Sequence, residues 1–204
     1  MRSSVILVFC LILVQSAAAQ SFADSVQTWR KNYREAFLKE ERSPLGKADL
    51  KHLRFYAPDP AWVLWGNFEP LQDTVGFEME THSGVKKHYY RYGNLRFERE
   101  GKAFSLTLYR SRKLMQMPGH EDDLFLPFFD ETNYSETYGG GRYIDLKTGD
   151  VQGGGIRVDF NLAYNPYCAF KGGYACPVPP AENRLSFPVR AGEKLFARAP
   201  KEGH

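Results

Sequence analysis

From Phe22 to Phe37 the large apolar residues fall three or four positions apart, at Phe22, Val26, Trp29, Tyr33 and Phe37, with Arg, Lys and Glu between them. That spacing predicts one amphipathic helix over about 22–41. Ser43-Pro44 ends it, because proline lacks an N–H and restricts the residue before it. Lys47 to Leu53 reads as one or two further helical turns, and Pro58-Asp59-Pro60 as a turn. Beyond Pro60 the period drops to two. Trp62, Leu64, Gly66 and Phe68 share one strand face, and Val75, Phe77, Met79 and Thr81 alternate with polar neighbours.

Ser83-Gly84 turns the chain into the aromatic run Lys87 to Tyr92. Leu95 and Phe97 lead to a hairpin at Glu100-Gly101-Lys102, from which Phe104, Leu106 and Leu108 return. Residues 111–137 show no regular period. Arg142 to Leu146 predicts another strand, turned at Lys147 to Asp150. Ile156, Val158, Phe160 and Leu162 predict the next, and Leu185, Phe187 and Val189 a short last one. Several short strands with hairpin turns after a single helix give a mainly β fold with one N-terminal helix. An antiparallel β-sandwich or a partly closed β-barrel follows, with the helix over one open end or face.

The first nineteen residues do not belong to that pattern. Met1-Arg2 is basic, Val5 to Val14 is an apolar run of ten, and Ala17-Ala18-Ala19 fits the small-x-small rule for cleavage after Ala19. The run is about half the length a bilayer span needs. The expectation is a signal peptide at 1–19, a single domain at 20–204 with no transmembrane segment, and a periplasmic or extracellular location. The formal charge of +3 gives no case for nucleic acid, and aromatic residues at 15% favour strands and binding surfaces.

Export changes the meaning of the cysteines. Cys10 leaves with the leader. Cys168 and Cys176 remain as an even pair around Gly172-Gly173, and a structural disulfide is expected. The spacing is not the C-x-x-C of a redox pair, and no histidine stands near for zinc. No cofactor signature is present: the glycine triplet Gly139-Gly140-Gly141 is not followed by Lys-Ser/Thr.

That triplet, in "ETYGGGRY" (136–143), leaves its backbone N–H groups unhindered, with Arg142 beside them. They offer either a cradle for an anion or a wide turn entering a strand. Arg157, Asp159 and Asn161 share the polar face of their strand, which points to solvent or, in a barrel, to a lumen. His120-Glu121-Asp122-Asp123 lacks the ligand spacing of a calcium loop, so a solvated loop is expected. Asn133-Tyr134-Ser135 matches the glycosylation acceptor pattern.

Four segments together, "WRKNYREAFLKEERSPLG", "LFLPFFDETNYSETYGGGRYIDL", "DFNLAYNPYCAF" and "YACPVPPAENRL" with "VRAGEK", resemble a bacterial and archaeal family of about 200 residues catalogued as a domain of unknown function. The resemblance covers residues 20–204 almost entirely. It implies a mostly β domain, often exported, with no established activity. The signature positions it carries over are Glu136, Tyr138, Gly139 to Gly141, Arg142, Asp159, Asn161, Tyr164, Asn165, Cys168, Cys176, Glu182 and Asn183.

Two functional classes follow, with the first preferred. One is a binding module for a small or envelope-derived ligand, contacted by Tyr138, Gly139, Gly140, Gly141, Arg142, Asn161, Tyr164, Asn165 and Asn183. The other is a hydrolase-like enzyme drawing a carboxylate pair from Glu136, Asp159 and Glu182, with glycine-run amides stabilising negative charge. A structural partner in an envelope assembly is a third reading. The sequence holds no Ser/His/Asp or Cys/His arrangement, which favours the first. The clamp Asn165 to Asn183 and the glycine run are expected to face each other across one site.

Overall fold

The computed structural model describes residues 2–198, with side chains described from Gln20 onward. The predicted leader and its cleavage point lie outside the described side chains. Helix α1 spans Arg2–Lys39. It buries Val26, Arg30 and Phe37, on the face the spacing selects. The chain then gives a short 3-10 turn at Leu50–His52 and another at Pro60–Trp62, with the Asp59 carboxylate accepting from Ala61 N–H. No helix among the described residues is long and apolar enough to cross a membrane.

The strands are β1 (Val63–Pro70), β2 (Phe77–Met79), β3 (Lys87–Arg99), β4 (Lys102–Ser111), β5 (Asp123–Phe128), β6 (Arg142–Lys147), β7 (Val151–Gln152) and β8 (Gly155–Asp159). Among the described residues they form one antiparallel eight-stranded sheet in the order β6-β5-β4-β3-β1-β8-β7, with β2 paired to β3. The predicted hairpin is present, and Glu100 (φ 52°) and Gly101 (φ 73°) turn it with both residues in the left-handed region. Lys87 to Phe97 is one strand, interrupted by a bulge between Arg91 and Gly93.

The sheet curls but does not close. One bridge, Tyr143 to Tyr164, joins β6 to the segment after β8, and Phe128 of β5 packs edge-on against Phe160, 5.2 Å between ring centres. The concave side holds the main core: Leu95, Leu106, Leu108, Leu126, Ile144, Ile156, Val158 and Phe160. Residues 185–191 pack against this core through Leu185, Val189 and Ala191, with Ser186 and Arg190 at the surface.

Four expectations change. Residues 111–137 contain β5, whose residues 124–128 are apolar throughout and hide the period-two signal. Val75 is exposed and lies outside β2, which begins at Phe77. The strand from Ile156 ends at Asp159, and Phe160–Leu162 is a 3-10 turn capped by the Asp159 side chain. Leu185 and Val189 are buried but form no strand: the Arg142 side chain, not a neighbouring strand, takes the Val189 carbonyl.

Candidate functional site

The clamp and the glycine run meet. The Cys168–Cys176 disulfide is formed, with Cα atoms 6.2 Å apart. Tyr143 donates its hydroxyl to the Pro177 carbonyl. Gly141 has φ 85°, and a Cβ there would stand 2.6 Å from Pro179 Cγ and 2.9 Å from the Phe128 carbonyl. Only glycine fits this backbone conformation and this approach. The ring of Tyr134 lies where a Gly139 side chain would go, and Tyr138 and His82 occupy the same place for Gly140. The run is therefore a packed crossing.

Arg142 was expected to hold an anionic or polar ligand group. It is fully buried instead, and its guanidinium faces the interior. One terminal nitrogen donates to Asp130 at 2.7 Å and to the Val189 carbonyl at 2.8 Å, the other to the carbonyls of Ala191 and Glu193. An arginine placed this way does for a coil what a neighbouring strand does for a strand. It satisfies three carbonyls between Val189 and Glu193, which lets this stretch pack on the core without a ladder. Asp130 completes the arrangement by accepting from Val189 N–H at 3.0 Å.

The asparagines work alike. Asn183 donates from Nδ2 to the carbonyls of Thr107 (2.8 Å) and Pro127 (2.7 Å) and accepts from Thr107 N–H at 2.7 Å. It bridges β4 and β5 where their pairing is sparse. Asn161 accepts from Asp59 N–H at 2.9 Å and donates to its carbonyl at 2.8 Å. Asn165 donates to the Lys194 carbonyl at 2.8 Å. Tyr164 points its hydroxyl at Asp145, 2.9 Å from each carboxylate oxygen.

The proposed carboxylates have separate partners. Glu136 accepts from Tyr56 at 3.0 Å and pairs with Arg190 at 2.9 Å, which holds its pKa below the usual carboxylate range. Asp159 accepts from Asn161 N–H at 3.0 Å and Nδ2 at 2.8 Å, with Arg157 at 3.5 Å. Glu182 accepts from Tyr109 at 3.0 Å and lies 3.3 Å from Arg91. Among the described residues no hydrogen bond or ion pair joins any two of the three. The polar strand face faces neither bulk solvent nor a lumen throughout: Arg157 is exposed, while Asp159 and Asn161 are buried. Asn133 spends its side chain within its own loop, on Asp130 N–H, Thr137 and the Tyr138 carbonyl, which leaves a glycan acceptor no free amide nitrogen. Residues 120–123 are tied to Lys147, Thr148 and Gly119, and no metal-holding group of three or more His, Cys, Asp or Glu stands among the described residues.

The open surface lies elsewhere, on the convex face of β1, β3, β4 and β8. Trp65 is 71% exposed there, directly across from Arg157 on β8. One register step along, Gly155, Asn67, Arg96 and Ser105 form a row across four strands. These residues, with Glu98 and Ala103, line a cleft of about 710 Å³. Gly155 leaves the row low at one end, beside the indole. Sequence reasoning passed over Trp65, although its signal was present: it is a tryptophan at an outward position of a half-buried strand.

A family model described as "Protein of unknown function (DUF1684)" matches residues 48–194. No curated protein matches. Among solved structures, the solution NMR structure of an uncharacterized protein from gene locus rrnAC0354 of Haloarcula marismortui is similar. It is 28% identical, with a TM-score of 0.67 over 87% of this chain and 96% of that one. With all eight strands and its buried signature residues inside the matched span, the chain belongs to the DUF1684 family of unknown function.

Proposed function

We propose that the protein is a binding module that takes a glycan on the convex face of its sheet, with Trp65 as the stacking platform. The observation that carries this reading is the cleft of about 710 Å³ beside a tryptophan that is 71% exposed. An indole this open on a rigid strand offers an apolar plane with little conformational entropy to lose on binding. Around it stand an amide (Asn67), a hydroxyl (Ser105), a carboxylate (Glu98) and a guanidinium (Arg96). Together they donate and accept hydrogen bonds at the edges of a ring stacked on the indole. Arg96 is paired with Glu69 at 2.7 Å and Arg157 with Asp159, so the face carries little net charge and suits a neutral polar ligand.

The hydrolase reading has less support, because its three carboxylates are neutralised in different places and its glycines are packed against Tyr134, Tyr138, His82 and Pro179. In the binding reading the module works outside the cytoplasm. The basic start, the apolar run Val5 to Val14 and the disulfide support that placement. The test is a fluorescence titration with an N-acetylglucosamine trisaccharide. The wild-type chain is expected to show saturable quenching that Trp65→Ala abolishes. Equal quenching in both chains, or none in either across neutral oligosaccharides, overturns the reading. Self-association that depends on Trp65 would assign the face to a second copy of the chain instead.

A further inference from the structure

Glu193 is fully buried at the junction of α1 with the rest of the domain. Its Oε2 accepts from the Tyr33 hydroxyl at 3.0 Å and from Asn165 N–H at 2.9 Å. Its Oε1 has no partner, and neither has Oδ1 of Asn165, whose side chain lies against the same carboxyl. Around them is an aromatic wall: Tyr33 contacts Phe55 and Tyr164 at 6.2 and 5.8 Å between ring centres.

We propose that Glu193 is a protonation latch for α1: the neutral carboxyl is accommodated under the closed helix, and the cost of burying the ionised carboxylate opens it. A proton on the carboxyl removes its charge, so that the unpartnered Oε1 belongs to a neutral acid in an apolar surround. Ionisation leaves Oε1 an unpartnered acceptor that carries charge in that surround. The charged groups nearby offset it only in part. Arg142 faces Glu193 from β6, but Asp130 already neutralises it at 2.7 Å. On α1, Arg30 donates to the Tyr56 carbonyl and lies over the Phe55 ring, and Arg34 lies over the same ring. Lys194 lies over Tyr56, and Arg190 is paired with Glu136. From the segment after β8, Tyr164 and Tyr167 give their hydroxyls to Asp145 and Glu40.

Burial accordingly pushes the Glu193 pKa up to about 8 from 4.5. A carboxyl whose pKa is higher in the closed form than in the open one binds more protons when closed. Closure is then fully favoured below about pH 4.5, weakens as pH rises, and levels off above about 8. With one proton linked, the opening constant rises about tenfold per pH unit inside that window.

Hydrogen exchange of residues 20–39 in the full chain, corrected for intrinsic exchange, reads this directly. The wild-type chain is expected to lose protection of α1 between pH 5 and pH 8 while the β-strands keep theirs. Glu193→Gln, which copies the neutral acid, is expected to abolish the pH dependence. The Tyr33 hydroxyl stabilises the ionised form, so Tyr33→Phe is expected to move the levelling-off to higher pH, and it serves alone if Glu193→Gln does not fold. The proposal is overturned if α1 has the same pH dependence with and without the Glu193 carboxyl, if Tyr33→Phe leaves the levelling-off in place, or if protection falls equally in α1 and the strands.

Discussion

The convex face of the sheet is two surfaces joined along one line. On β4 its outward positions run Ala103 and Ser105, both exposed, then Thr107 and Tyr109, both buried. On β3 the matching positions run from exposed Glu98 and Arg96 to half-buried Asn94 and Arg91, with buried Tyr89 beyond them. The change falls at the Asn94–Thr107 pair, where Asn183 docks on Thr107. On one side the clamp lies over Tyr109 and Tyr143, with Pro177 taking the Tyr143 hydroxyl and Glu182 that of Tyr109. On the other side nothing among the described residues covers Trp65.

The residues that make the family signature recognisable belong to the covered side and to the interior. Gly141, Arg142, Asn161, Asn165 and Asn183 supply close approach or backbone hydrogen bonds to segments that lack a ladder. Special residue types gather where coil must be buried, because every buried carbonyl and N–H needs a partner. An open binding face asks less of the backbone, and so leaves a fainter mark in the sequence.

This contrast gives unequal costs for substitution, each read by urea unfolding of the full chain. Arg142→Ala is expected to be the most damaging, at about 3–5 kcal/mol, because it leaves Asp130 buried without its partner. A loss under about 1 kcal/mol would mean that the stretch from Val189 to Glu193 is held by packing alone. Asn183→Ala is expected to cost about 2–3 kcal/mol, since Thr107 and Pro127 lose their partners in a buried position. An unchanged midpoint would show that the boundary of the covered half needs no bridge. Trp65→Ala is expected to stay within about 0.5 kcal/mol of wild type, as for a surface change with no structural role. A large loss there would make Trp65 part of the architecture and erase the difference between the halves.

The helix was legible from the steps between Phe22 and Phe37, and β3, β4 and β8 from alternation, because each has one buried face and one different one. β5 was not, since Leu124, Leu126 and Phe128 face the core while Phe125 and Pro127 lie under the clamp, and a strand covered on both sides shows no period. The segment Leu185 to Val189 alternates as a strand does, yet Arg142 takes the place of a partner strand. At the site, the sequence showed that the clamp and glycine run were special but not that their donors turn inward. Burial of a guanidinium depends on Asp130 and on carbonyls 47 and 49 residues further along the chain. Glu193 had no signal of its own, because its burial is made by α1, 160 residues away.

The division of the convex face is tested most directly by a hydrogen-exchange footprint of the full chain with and without an N-acetylglucosamine trisaccharide. The account predicts protection confined to β1, the Arg96–Ser105 region of the β3–β4 hairpin and the start of β8. It predicts none at residues 137–142 or in the clamp at 164–183. Protection at the glycine run or the clamp, with the Trp65 face unchanged, would contradict it.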